Sequence, residues 1–87
     1  MATVWIPSLM RSLSGGRQQI NVRGKTVGEV IDALDAVCPG IKSRLCRGEQ
    51  IDPTISVWVD GRIAHLGLRE AVAEQSEIQF LPAIAGG

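Results

Sequence analysis

Thr26-Val27-Gly28-Glu29 opens the one long stretch of this chain in which apolar residues recur at helical spacing. Val27, Val30, Ile31, Leu34 and Val37 fall on a single stripe, with Glu29, Asp32 and Asp35 on other faces. The opening reads as a capping box: the Thr26 hydroxyl accepts from the Glu29 amide, and the Glu29 carboxylate reaches back to the Thr26 N–H. Pro39-Gly40 stops the helix, and Cys38 closes it as a small apolar residue. A lone amphipathic helix has nothing to bury its stripe against, so strands must supply the facing layer.

Strand patterns stand on both sides of it. Thr3-Val4-Trp5-Ile6 alternates, Val4 and Ile6 facing one way and Trp5 the other. Pro7 ends that run, and a loop through Ser14 leads to the permissive pair Gly15-Gly16. Leu9, Met10 and Leu13 are loop anchors or a second contact surface. Gln18 to Arg23 alternates again, completing a hairpin with a long connection. After the helix, Ile41 to Leu45 reads as a short turn and residues 47–53 as loop. Thr54 to Val59 and Arg62 to Ala64 then flank Asp60-Gly61, a strong hairpin signal. A short helix is expected around residues 68–72, and the last strand over Ile78 to Leu81.

The resulting order, ββαββ with a final strand, specifies an α+β roll: a mixed sheet of four or five strands with one main helix on one face. Val4, Ile6, Ile20, Val22, Ile55, Val57, Val59, Ile78 and Phe80 point inward onto Val30, Ile31 and Leu34. At ~1.5–3 kcal/mol per buried side chain, these residues supply the main stabilisation. The last strand is expected beside the first, at the sheet centre. Residues 1–81 are assigned to this domain and 82–87 to a flexible tail.

Composition narrows the function. Eighty-seven residues make one domain, and 45% apolar content argues for a folded globule. Nine basic residues against nine acidic ones leave no net charge, so there is no electrostatic footprint for nucleic acid. No apolar run approaches the ~20 residues of a membrane span, which makes the cytoplasm the default compartment. Cys38 and Cys46 match no zinc spacing and His65 is the sole imidazole, so a metal site lacks ligands. A catalytic Cys/His pair has no orienting motif behind it.

What remains is the ending, Gly86-Gly87. It is read as a free carboxylate on the residue type with no Cβ, preceded by another glycine. Two such residues thread a channel too narrow for side chains and reach backbone angles closed to others. From Pro82 to Gly87 the extended chain spans roughly 20 Å at ~3.3–3.6 Å per residue. That reach suits a carboxylate delivered into another protein's active site. The alternative is a frayed terminus.

The element order, the capped helix, Val57-Trp58-Val59-Asp60-Gly61 and the ending Leu81-Pro82-Ala83-Ile84-Ala85-Gly86-Gly87 resemble the ubiquitin-like β-grasp sulfur carriers, the ThiS/MoaD superfamily. Ile6-Pro7 with Leu9 and Arg11, Ser14-Gly15-Gly16 and Thr26 to Ile31 place the likeness nearest the CysO-type carriers of cysteine synthesis. One departure is Gln75-Ser76-Glu77, where many relatives carry Asp-Gly-Asp before the last strand. The resemblance implies a carrier, not an enzyme, with no cofactor of its own. An E1-like activating enzyme would adenylate Gly87 with ATP-Mg and exchange AMP for sulfur, leaving a C-terminal thiocarboxylate. Gly86 would keep the approach slim. A pyridoxal-phosphate (PLP) cysteine synthase would receive the sulfur, and a metallopeptidase would release the cysteine. The alternatives are sulfur delivery to molybdopterin, thiamin thiazole or tRNA, a ubiquitin-like protein modifier, and a binding module with an inert tail.

Partners also need a surface. Trp5, Trp58 and Leu81 fall on the outward sides of their strands, where a half-solvated sheet is normally polar. Together they make an apolar patch suited to docking, the alternative being loops that cover them or isolated aromatics without a role.

Overall fold

Pairing begins between β1 (Ala2–Trp5) and β2 (Gln19–Val22), antiparallel with Val4 opposite Ile20. The structure, a computed structural model, describes residues 1–83. Helix α1 (Val27–Val37) and the short α2 (Ile41–Leu45) follow, then β3 (Cys46–Arg47), β4 (Gln50–Ile51), β5 (Ile55–Val59), β6 (Arg62–Ile63) and β7 (Glu77–Pro82). The main sheet has five strands in the order β2-β1-β7-β5-β6. β7 lies at the centre, parallel to β1 and antiparallel to β5. The expected roll, with the last strand beside the first, is therefore the observed one.

Alternation decides which face is dry. Val4, Ile20, Val22, Val57, Ile78 and Phe80 are buried under α1, whose Val27, Val30, Ile31 and Leu34 have no exposed surface. Ile55 and Val59, nearer the sheet edge, are only half-buried. Ile41 and Leu45 of α2 close one end of the same core, together with Met10. Leu13 packs partly against it, whereas Leu9 stays 84% exposed.

Several local expectations are corrected. Val37 is 44% exposed while Cys38 is fully buried, so the apolar stripe shifts by one residue at the end of the helix. The Thr26 hydroxyl does accept from the Glu29 amide, at 3.2 Å. The Glu29 carboxylate, however, accepts from the Lys25 N–H at 3.0 Å, one residue before the expected donor. Residues 47–53 are not plain loop, since β3 and β4 pair as a small hairpin there. Around residues 68–72 only a 3-10 turn forms, Gly67–Arg69. Beyond it the chain runs antiparallel to the start of α1: the Val27 N–H donates to the Glu70 carbonyl and the Val72 N–H to that of Lys25. A helix start leaves N–H groups without partners, and satisfying one of them outweighs another helical turn.

The turn before β7 is tied down by side chains. Asp60 and Gly61 both have positive φ, 52° and 80°, which places the right-handed twist of β5 and β6 on a two-residue connection. The Asp60 carboxylate accepts from the Ser76 hydroxyl at 2.7 Å and the Glu77 N–H at 2.9 Å. Buried Ser76 in turn accepts from the Ala73 N–H. The Ser76 hydroxyl, and then the Glu77 amide, hold the Asp60 carboxyl below the ordinary carboxylate range. Its contribution to stability is thus complete above the unfolded value of ~3.9 and is lost as pH falls through the lower folded value. Asp60→Asn should therefore flatten the acid limb of the stability curve below about pH 4 while folding normally at pH 7, as measured by denaturant titration at stepped pH.

Candidate functional site

The chain leaves the sheet at the end of its central strand. β7 runs to Pro82, which lies opposite Ile55, and the Ala83 N–H donates to the Thr54 carbonyl at 2.9 Å. Pro82, assigned above to the tail, is thus the last residue of the central strand, and Ala83 is bonded to the turn before β5. Pro lacks an N–H, but at the last residue of a strand no ladder bond is lost by it. Gly86 and Gly87, the proposed threading and attachment residues, lie outside the described residues, as do Ile84 and Ala85.

Thr54 is itself fixed by Asp52. One Asp52 oxygen accepts from both the Thr54 N–H and its hydroxyl, at 2.9 and 2.6 Å. The other faces the Arg47 guanidinium at 3.5 Å. These Thr54 bonds, with a smaller effect of Arg47, lower the Asp52 carboxyl from its ordinary value. The Asp52 N–H donates to the Leu45 carbonyl and its carbonyl accepts from Ile55, so the turn is anchored to α2 as well as to β5. Sequence reading passed over Asp52. The available signal was Asp52-Pro53-Thr54, a short polar side chain two residues before an amide it can cap.

On the open face, strand register sets Trp5 opposite Gln79, Gln79 opposite Trp58 and Trp58 opposite Ile63. The two tryptophans therefore share one row across the sheet with a glutamine between them. Both are half-buried, not bare. The Trp5 indole N–H donates to Glu77 at 3.2 Å, and that of Trp58 to the Ser56 hydroxyl at 3.1 Å. The Ser56 hydroxyl in turn donates to the Leu81 carbonyl at 3.2 Å, which ties Trp58 to the end where β7 exits. Leu81 is 43% exposed, and Ile63, which sequence reading left out, 42%. The Asp60-Gly61 register alone pairs Ile63 with Trp58, so that residue was within reach of the sequence.

Neither cysteine bears on this surface. Both are buried and unpaired, and burial raises the Cys46 thiol further from its reactive form. Among the described residues, no group of three or more His, Cys, Asp or Glu could hold a metal ion, and no helix is long and apolar enough to cross a membrane. The geometry is that of a small scaffold presenting an apolar strip and an outgoing strand.

Known proteins are similar to this chain in sequence and in fold. The sulfur carrier protein CysO of Mycobacterium tuberculosis is 33% identical over 95 aligned residues, covering 98% of this chain and 97% of that protein. A chain of the BexX/CysO complex of Amycolatopsis orientalis superposes with a TM-score of 0.92 at 35% identity, covering all of both chains. Small archaeal modifier protein 3 of Haloferax volcanii is 33% identical over 64 residues, 71% of this chain and 70% of the relative. The sheet order and the helix are those of the ubiquitin-like β-grasp fold. The sequence pattern of the ThiS family matches residues 4–87, and the chain belongs to that family.

Proposed function

We propose that this protein is a sulfur carrier whose Gly87 carboxylate is converted to a thiocarboxylate. The observation that carries the reading is the full-length match to CysO, together with a family pattern that extends through Gly87. One carboxylate oxygen of Gly87 attacks the α-phosphate of ATP on an E1-like activating enzyme, and pyrophosphate leaves. A sulfur nucleophile then attacks the acyl carbon, and AMP departs with that oxygen. The product is the thiocarboxylate anion, with one oxygen replaced by sulfur. The ATP-Mg belongs to the activating enzyme, and this chain supplies the acyl group and the surface that presents it.

The acceptor we favour is a PLP-dependent cysteine synthase, followed by a metallopeptidase that frees the amino acid. Its support is that the likeness is to CysO-type carriers. The test is intact mass after incubation with ATP, a sulfide source and an activating enzyme purified on its carrier-dependent exchange of pyrophosphate into ATP. Replacement of one oxygen by sulfur is expected; recovery of unmodified protein alone sinks the reading. The similarity to an archaeal modifier protein favours a second reading, attachment through Gly87 to lysines of other proteins. Higher-mass conjugates on a gel that vanish in a Gly87-deleted chain would favour it.

Docking is placed on the row of Trp5 and Trp58 with Leu81 at its edge. Large aromatics on a sheet face are the side chains that most often dominate an interface. Trp58→Glu should lower affinity for the activating enzyme by about 2 kcal/mol or more, roughly 30-fold. Circular dichroism should remain that of the parent. Unchanged affinity in calorimetry would remove Trp58 from the interface.

A further inference from the structure

A groove of about 490 Å³ opens at the root of the tail, separate from the tryptophan row except for Leu81. One wall is the segment after β1, with Pro7, the 84% exposed Leu9 and the buried Met10. Across β7 from it stands Ile55 of β5, and the guanidinium-bearing Arg44 of α2 also lines the groove. Leu81 and Pro82, the last residues of β7, lie between the walls. The groove is therefore mostly apolar with one cation on its rim. Among the described residues Arg44 makes no ion pair, in contrast to Lys42 and Arg47 nearby.

The distance to Gly87 decides what must cover it. From Ala83, anchored on Thr54, four residues reach at most ~14 Å to Gly87. An active site that closes over Gly86 and Gly87 within that span brings its own rim against the end of the sheet where the groove opens. We propose that the groove is a second docking contact for the activating enzyme, beside the tryptophan row, where that enzyme inserts an apolar side chain between Leu9 and Ile55 and sets a carboxylate against Arg44. This rests on the carrier reading above. Leu9, 84% exposed, gives the groove apolar area that a partner side chain would bury together with Ile55 and Leu81. Arg44 gives it a sign: a basic rim penalises a basic partner and steers an acidic one.

The test uses the full chain in the same pyrophosphate-exchange assay, titrating carrier against a fixed amount of activating enzyme. Leu9→Asp and Arg44→Glu are each expected to raise the half-saturating concentration about tenfold, with the maximal rate kept. Leu9→Ala and Arg44→Gln should show the same direction with smaller rises, and added salt should erase the Arg44 effect but not the Leu9 effect. Arg23→Ser, at the opposite end of the sheet, should match the parent. Circular dichroism on each variant checks that the exposed substitutions leave the fold intact. If Leu9→Asp and Arg44→Glu saturate at the parent's concentration while the parent is adenylated and charged with sulfur, the groove proposal fails and the carrier reading stands. If the parent supports no exchange and gains no sulfur, both fall together.

Discussion

Adding a single alanine after Gly87 should leave the chain fully folded and abolish the proposed conversion of Gly87 to a thiocarboxylate. The former terminal carboxylate becomes an amide, and the new one is displaced by roughly 3.5 Å, one residue of extended chain. An adenylating centre that holds its nucleophile near the α-phosphate does not tolerate such a shift, since displacements of about 1 Å already cost ~10²-fold in rate. Gly86→Val is the companion. It keeps the carboxylate in place and adds an isopropyl group where the chain would enter the partner, and a fall of about 10²-fold is expected on the same scale. Single-turnover charging followed by intact mass reads both. Normal charging of the alanine-extended chain, with the extra residue still attached, would remove Gly87 as the site of chemistry. An inactive extended chain beside an equally inactive Gly86→Ala would instead point to a channel that excludes even one methyl group.

Why the helix and the Asp60-Gly61 hairpin were legible and the footing of β7 was not follows from the range of the interactions involved. The capped helix announces itself through contacts within one turn, Thr26 to Glu29. The Asp60-Gly61 hairpin does so through two adjacent residues whose positive φ values select their types. Alternation gave the inward and outward sides of β1, β5 and β7 because the side-chain period of a strand is fixed. What joins residues far apart leaves no such trace. The Ala83 bond to Thr54, the Ser76 hydroxyl on Asp60 and the pairing of Val72 with Lys25 are set by the packed sheet. The small β3–β4 hairpin escaped for another reason: its strands are two residues each, too short to show a period. Trp5 and Trp58 were placed on the correct face, but their half-burial comes from Glu77 and Ser56, partners visible only once the register is known.

Gly24→Ala should destabilise the fold by about 2–3 kcal/mol, the upper part of the ~1–3 kcal/mol seen when a packed site is overfilled. A Cβ at this position would stand 2.7 Å from the Val30 amide nitrogen and 2.8 Å from a Val30 methyl, with the Glu29 carbonyl carbon at 3.1 Å. The nearest atoms are backbone in the first turn of α1, which cannot swing aside as a long side chain would. That turn is pinned from behind by Glu29 on the Lys25 amide and by Glu70 and Lys25 carbonyls on Val27 and Val72. Relief therefore requires moving the helix start and with it Val27 and Val30, both without exposed surface. Gly61→Ala makes the informative contrast. It has open space around its Cβ and loses only the ease of a φ of 80°, so a smaller cost of about 1 kcal/mol is expected. Chemical denaturation of the two variants should rank them in that order. Equal losses would mean that α1 yields at its first turn, and that the capping bonds there hold the helix less firmly than their geometry implies.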